Sequence, residues 1–161
     1  MPSRRNLSFP TLNDVMPDVD GLLQGHETVG NWTLGQICNH LANTVQLSVE
    51  GIPFRFPWIM RTTVAPMVKE RMFRTGKMRE GVYLPAKALP KPGLDDRAEA
   101  ETLRAALNYY AGVTEPLADH PLFGRLTRDE WNRFHCIHCA HHLSFVLPTP
   151  NGGEVVSKGV P

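Results

Sequence analysis

Residues 127–143 read TRDEWNRFHCIHCAHHL, and this stretch predicts one long amphipathic helix. Thr127 stands at the N-cap position and Glu130 follows at capping-box spacing, so that their side chains can satisfy free backbone N–H groups. With 3.6 residues per turn, one face of this helix collects histidines and large aromatic residues within an arc of about 100°. They are His135, His138, His142, Trp131, Phe134 and Phe145. Burial of large aromatic rings is favourable, so this face is expected to point into a helical bundle.

Residues 33–50 form the second strong helical pattern. Thr33 is the expected N-cap, Gln36 stands at capping-box spacing, and Gly51 is a stop signal. Apolar residues recur at spacings of three and four, which is typical of a stripe that faces a core. The residues of this stripe are Leu34, Ile37, Leu41 and Val45.

Three further helical patterns cover about residues 12–24, 58–74 and 97–118. Pro17 can occupy a first helical turn, whereas Pro66 predicts a kink or a break in its helix. Asp95 or Asp96 is the expected cap of the last of these patterns, and no stretch shows the sustained alternation that strands need. We therefore predict an all-α fold, a four-helix bundle in a single domain that spans residues 1–161.

Two stretches lack helical periodicity. Residues 76–95 hold several glycines and prolines together with Arg79, Lys87 and Lys91, and long connections of this kind are often functional. These cations could hold an anionic group of a substrate, although solvated surface charge is the more common role. The tail from about residue 148 is expected to be a loosely packed extension.

Composition limits the classes of protein that fit this chain. A net charge of +1 without a Lys/Arg stripe argues against nucleic acid as a partner. The first residues lack the apolar segment of a secretion signal, and no apolar run is long enough to span a membrane. The three cysteines form no spaced disulfide framework, which indicates a reducing compartment. We expect a cytoplasmic protein without a membrane partner.

The histidines predict a metal site. His138 and His142 stand four residues apart, so a helix can present both imidazoles to one ion. Three histidines buried on one face are costly without partners, because each ring has two nitrogens to satisfy. His40, far upstream in the second helical pattern, could supply a third ligand. Its position on the flank of the apolar stripe is equally compatible with a partly exposed surface histidine.

The remaining cysteines and histidines near this site have other possible roles. Cys136 and Cys139 could form a redox pair or a structural zinc site, but the first needs a βαβ context and the second usually uses knuckle turns rather than a helix. We expect Cys136 to pack as a small apolar residue and Cys139 to lie near the metal site. His120 precedes a proline and is expected to cap or occupy a loop.

Motifs at these positions resemble a known superfamily. The segments NWTL at 31–34 and HL at 40–41 are similar to the second-helix motif of the DinB/YfiT-like superfamily, whose members are regarded as metalloenzymes. The segment 120–143, from HPLFG to HCAHHL, resembles the DUF1569 branch more narrowly. This resemblance implies a four-helix bundle that holds zinc or nickel. By position, the ligands here would be His40, His138 and His142.

The same resemblance suggests a function. Relatives include S-transferases and isomerases that use low-molecular-weight thiols, and relatives often dimerise, so a homodimer is possible on this basis. An open three-histidine site would activate a thiol or water, with His135 as a neighbouring or substitute ligand. Its pocket is expected to include Cys139, Trp131, Phe134 and Phe145.

Two alternatives and one departure accompany this interpretation. Relatives often place glutamine three residues after the last ligand, where this chain has Phe145, so that a polar group beside the metal is missing. An alternative is a non-catalytic bundle, such as a stress protein, that binds a metal or a small ligand. The third hypothesis is a helical domain that is purely structural or that binds a partner.

Overall fold

The protein is described by a computed structural model that covers residues 3–79 and 89–150. Within these ranges it is mostly helical, with five α-helices, a 3-10 turn at Leu12–Asp14 and two short strands. The helices are α1 (Val15–Leu22), α2 (Leu34–Glu50), α3 (Trp58–Thr75), α4 (Asp96–Gly112) and α5 (Arg128–Leu143). The strands are β1 (His26–Thr28) and β2 (Val146–Pro148). The expected tail beyond residue 150 and Lys87 lie outside the described residues.

The helix α2 begins and ends where its capping signals predict. The Gln36 backbone N–H donates to Thr33 Oγ1 at 3.2 Å, and the Thr33 backbone N–H donates to Gln36 Oε1 at 3.0 Å. Gly51 follows the helix with a φ of 101°, a conformation that favours glycine. The predicted capping box of α2 is therefore confirmed.

The start of α2 is tied to the start of α4. The Gly35 backbone N–H donates to Asp96 Oδ1 at 2.6 Å, and a Cβ atom at position 35 would lie 2.9 Å from the carbonyl oxygen of Leu94. Only glycine permits this close approach. Asp95 caps α4 through a 2.8 Å hydrogen bond from the Ala98 N–H, as predicted, although α4 ends at Gly112 and not near residue 118.

The helix α5 also has the predicted capping box. The Glu130 N–H donates to Thr127 Oγ1 at 3.1 Å, and the Thr127 N–H donates to Glu130 Oε2 at 2.9 Å. The helix ends at Leu143, and the following residue Ser144 donates its N–H to Ala140 at 3.0 Å. Phe145 therefore lies beyond the helix.

The helix α3 is continuous across Pro66, so the predicted break does not occur. Pro66 and Thr62 are exposed, and water can bond to the Thr62 carbonyl that proline leaves without an N–H donor. Ala65 and Met72 are its buried residues, whereas Trp58 and Met67 are each 73% exposed. No helix in the described ranges combines the length and apolarity needed to cross a bilayer.

The core lies between α1, α2, α4 and α5, which supply most of its side chains. Its fully buried members include Val15, Val19, Leu34, Leu41, Leu103, Trp131 and Leu143. The strands β1 and β2 pair antiparallel, with Glu27 opposite Leu147. This small sheet corrects the all-helical prediction, and its strands are too short to show period-two alternation.

The N-terminal segment forms hydrogen bonds to the end of α5. The Arg5 guanidinium forms a bidentate ion pair with the carboxylate of Asp18 in α1, with N–O distances of 2.6 and 2.8 Å. It also donates to the Leu143 carbonyl at 3.1 Å, while the Arg5 backbone N–H donates to the Ser144 carbonyl at 2.8 Å. The last turn of α5, which carries His142, is thereby held against α1.

Candidate metal centre

Three histidines meet between α2 and α5. His40 Nε2 lies 3.2 Å from His138 Nε2, and one ring nitrogen from each of His40, His138 and His142 lies within 4.8 Å of the others. The ring of His142 has its centroid 4.7 Å from the centroids of both other rings. His138 is buried, and His40 and His142 are half-buried. The structure thus brings together the three residues expected to be ligands.

Burial keeps these rings neutral. It lowers the pKa of His40 to about 4, helped by nearby His141, and the pKa of His142 to about 2, helped by His40 and His141. The pKa of His138 is also well below its usual value, first because of burial and then because of the surrounding histidines. Near neutral pH each ring therefore carries one nitrogen lone pair. In the His40–His138 contact one ring donates and the other accepts.

The arrangement fits a divalent transition metal. Tetrahedral zinc with Zn–N bonds near 2.05 Å separates its nitrogen ligands by about 3.3 Å, close to the 3.2 Å between His40 and His138. Neutral imidazole suits zinc, nickel, copper and iron alike. Among the described residues, the group consists of three histidines without a carboxylate or a thiolate. Tetrahedral coordination by these three rings would leave one position for water or a substrate.

Aromatic rings cover two sides of the histidine cluster. The Trp32 ring is parallel to His142 within 8° at a centroid distance of 5.4 Å, and it contacts His40 at 5.1 Å. Phe134 stacks on His138 at 5.5 Å. Trp32 is a residue of the site that helical periodicity does not predict. Its signal was its position just before the N-cap of α2, where apolar residues often pack back onto the first turns.

His135 belongs to a separate buried pair. Its Nε2 lies 3.0 Å from Ser48 Oγ, and Ser48 itself donates to the Val45 carbonyl at 2.6 Å. Ser48 therefore accepts, and His135 carries its proton on Nε2, while its buried Nδ1 has no hydrogen-bond partner among the described residues. The structure places His135 in the core, where Trp131 stacks on it at 5.2 Å and Tyr110 meets it edge-on at 5.1 Å. Ser48 was not anticipated, although a buried imidazole needs partners.

The expected pocket residues occupy different places. Phe134 contacts the cluster, whereas Phe145 contacts His141 at 5.8 Å because α5 has already ended. Trp131 lies in the core against His135. Cys139 is also buried in the core, and burial raises the pKa of its thiol above the ordinary range, so that it remains protonated near neutral pH.

His120 has the predicted loop role. Its Nδ1 accepts hydrogen bonds from the backbone N–H groups of Leu122 and Phe123, both at 3.1 Å. Its ring stacks on Phe123 at 4.4 Å and contacts Phe134 at 5.0 Å. Burial lowers the pKa of His120 to about 4.

Acid is expected to destabilise the metal-free protein below about pH 6.5. Burial lowers the pKa of His120 to about 4, and burial with nearby His120 lowers the pKa of His135 to about 3, from an unfolded value of 6.5. The unfolded chain therefore takes up these protons first, and stability is lost as the pH falls from the unfolded value towards the folded values. Each histidine contributes about 1.4 kcal/mol per pH unit in this window.

Urea unfolding followed by circular dichroism in the presence of a chelator measures this effect. The midpoint is expected to change little between about pH 7.5 and about pH 6.5 and then to fall steadily down to about pH 4.5. His120→Gln keeps an acceptor for the loop N–H groups, and it should make the pH dependence shallower by about one proton. Equal midpoints for the unsubstituted protein at both ends of this range would contradict the assignment.

Comparison with protein families adds one finding. A family described as "Protein of unknown function (DUF1569)" matches residues 1–149, a range that includes all five helices and the three clustered histidines. No curated protein and no solved structure matches the chain.

Proposed function

The chain belongs to the DUF1569 family of proteins of unknown function, and we propose that it is a metal-dependent enzyme with an open three-histidine site. The observation that carries this proposal is the convergence of ring nitrogens from His40, His138 and His142 within 4.8 Å. All three rings are held neutral by burial, so their lone pairs are available to a cation. Zinc or nickel is the proposed metal.

The proposal includes a DinB/YfiT-like bundle in a single domain. The helices α1, α2, α4 and α5 are taken as the four bundle helices because they supply most of the core. The two helices that carry the histidines are both members of this set. The rigid helices, rather than loops, would then fix the distances between the ligands.

The proposed reaction class is thiol transfer or activation of water. When bound, a divalent ion lowers the pKa of a thiol or water in its open position and so supplies a nucleophile near neutral pH. The chain's own residues orient the three rings and limit access to them. Trp32 lies flat against His142 and Phe134 against His138, so both rings are restrained by aromatic contacts.

The proposed substrate is a low-molecular-weight thiol in a reducing, cytoplasmic setting. Cys38, Cys136 and Cys139 all lie in the described ranges, and all three are free and buried. Free cysteine side chains are typical of proteins in a reducing compartment. Cellular low-molecular-weight thiols are also found in their reduced form there. Neither nucleic acid nor a membrane is needed for this chemistry.

Titration of the metal-free protein with Co²⁺ tests the proposal. We expect one ion per chain and the intense visible absorption of four-coordinate cobalt, without a thiolate charge-transfer band in the near ultraviolet. Addition of a small thiol such as cysteine should then generate that band, because sulfur enters the open position. Zn²⁺ is expected to displace the cobalt and remove the colour.

Each outcome of this titration separates the hypotheses. The absence of stoichiometric binding would contradict a metal-dependent enzyme. Binding with a spectrum that no added thiol, azide or cyanide changes would favour the alternative of a non-catalytic metal-binding bundle. If a thiol does enter the site, transfer assays with a panel of cellular thiols and electrophiles follow.

A further inference from the structure

Two adjoining cavities lie along α5, and the wall that they share is on the side of the helix away from the histidine cluster. The large cavity has a volume of about 1080 Å³ and the small cavity about 300 Å³. They share Gly76, Ile137 and Ala140 in their walls. Ala140 lies about half a turn around the helix from both His138 and His142. The shared wall therefore faces away from the candidate metal centre, and the small cavity comes nearest to it at His141, whose ring contacts His142 at 5.0 Å.

The size and walls of the large cavity suit an organic ligand. Small-molecule sites typically have volumes of about 300–1,000 Å³ and mostly apolar walls. Apolar side chains here come from the N-terminal segment, α1, α4 and α5, and they include Phe9, Met16, Leu107 and Ile137. An apolar ligand body would gain free energy by covering these surfaces.

The charges around the two cavities favour an anion. Arg128 and Arg133 line the large cavity and Lys77 the small one, whereas Asp129 is the one acidic residue among the described lining residues of both. Arg128 donates to the carbonyls of Tyr110 and Val113, at 3.3 and 2.6 Å. Arg133 donates to the carbonyl of Phe73.

These carbonyl partners orient the two guanidinium groups without cancelling their charge. Two other arginines at the cavities differ in this respect, because Arg104 pairs with Asp20 at 2.7 Å and Arg5 pairs with Asp18 at 2.6 Å. No carboxylate in the described part of the chain lies within ion-pair distance of Arg128 or Arg133. The cavities therefore keep an excess of positive charge in a chain whose net charge is only +1.

We propose that the two cavities together form a binding site for an organic oxyanion, a carboxylate or a phosphate on an apolar body. Guanidinium groups bind both oxyanions through paired, charge-assisted hydrogen bonds. The apolar walls along Ile137 and Leu107 cover the body of the ligand. This site does not use the proposed metal, since none of the three clustered histidines lines either cavity.

Isothermal titration calorimetry with four probes tests this site. Decanoate and decyl phosphate present the two oxyanions on one apolar chain, decyltrimethylammonium reverses the charge, and inorganic phosphate lacks the body. At least one of the two oxyanions is expected to bind at one per chain, at least about tenfold more tightly than the cation and inorganic phosphate. Comparison of decanoate with decyl phosphate identifies the headgroup. Equal binding of anion and cation, or no binding of either oxyanion, would overturn the proposal.

Variants separate this site from a general attraction of anions. Arg133→Gln and Lys77→Gln should each weaken binding about threefold to tenfold, and the double variant more. Arg125→Gln is the matched control, because Arg125 is exposed and lines neither cavity. Unchanged affinity in the double variant, or an equal loss in the control, would contradict the site.

A second pair of variants tests whether the ligand contacts the wall at Ala140 and whether oxyanion binding is independent of the metal centre. Ala140→Leu extends a wall side chain into the shared space and should weaken binding while the circular dichroism spectrum stays the same. His138→Ala should leave oxyanion binding unchanged, so that failure of this site and failure of the metal site give different results. Tight binding in folded Ala140→Leu would show that the ligand lies elsewhere and would overturn the assignment.

Discussion

Replacement of His138 by alanine is expected to weaken divalent metal binding by at least about 100-fold. Mutation of a residue that only hydrogen-bonds to a metal ligand typically costs about 10–100-fold in affinity, and loss of the ligand itself is expected to cost more. His138 lies at the centre of the cluster, with its Nε2 3.2 Å from His40 Nε2 and its ring 4.7 Å from His142. Without it, two imidazoles remain on different helices. The affinity for Co²⁺ or Zn²⁺, measured by competition with a chelator of known affinity, checks this result.

His141→Ala is the matched control for this substitution. His141 is on the same helix and contacts the His142 ring at 5.0 Å, but it is outside the three-histidine group. Its replacement is expected to change metal affinity by less than about threefold, because the ligand set remains complete. Full metal occupancy in His138→Ala, or an equal loss in His141→Ala, would refute the ligand assignment.

Replacement of Trp131 by alanine is expected to cost about 3–5 kcal/mol of folding free energy, which is a large part of the stability of a domain of this size. Trp131 is 1% exposed, and its ring contacts His135 at 5.2 Å and Phe134 at 5.5 Å. The substitution leaves a cavity between α5 and the loop of His120. The Trp131 Nε1 atom has no partner among the described residues, so loss of the indole removes one unsatisfied donor and places the cost towards the lower part of the range.

Trp58→Ala supplies the comparison for that loss. Trp58 begins α3 and is 73% exposed, so its replacement should change stability by less than about 0.5 kcal/mol. Urea unfolding of both variants, followed by circular dichroism, measures the difference. A similar loss of stability in the two variants would contradict the described packing around Trp131.

Local signals predicted the helices that begin with capping boxes. The caps Thr33 and Thr127 bond to residues three positions further along, so a short window of sequence contains the whole interaction. The strands β1 and β2 are different, since each has three residues and its partner is more than a hundred residues away. Neither a period nor a turn signal marks such a pair. The helix α3 continues across Pro66 because Pro66 and Thr62 are exposed to water, and local sequence does not reveal this exposure either.

The candidate site, like the fold, was predictable where the signal is local and not where it depends on packing between helices. His138 and His142 share one helix, so their spacing alone suggested a pair of ligands. The inclusion of His40 depended on a resemblance, because periodicity left its orientation open. Trp32 and Ser48 were not identified, since their contacts with His142 and His135 arise only when α2 packs against α5.

The contacts of Arg5 also set an order of events during synthesis of the chain. Arg5 is made well before its partners Leu143 and Ser144, which follow it by more than 130 residues. The strand β1 likewise waits for β2. A chain still being translated can form α2 and bury part of its apolar stripe, but it cannot close the fold at α5. Folding is therefore completed only after nearly the whole described chain has been released, and a nascent chain halted before residue 143 would keep its N-terminal segment unattached.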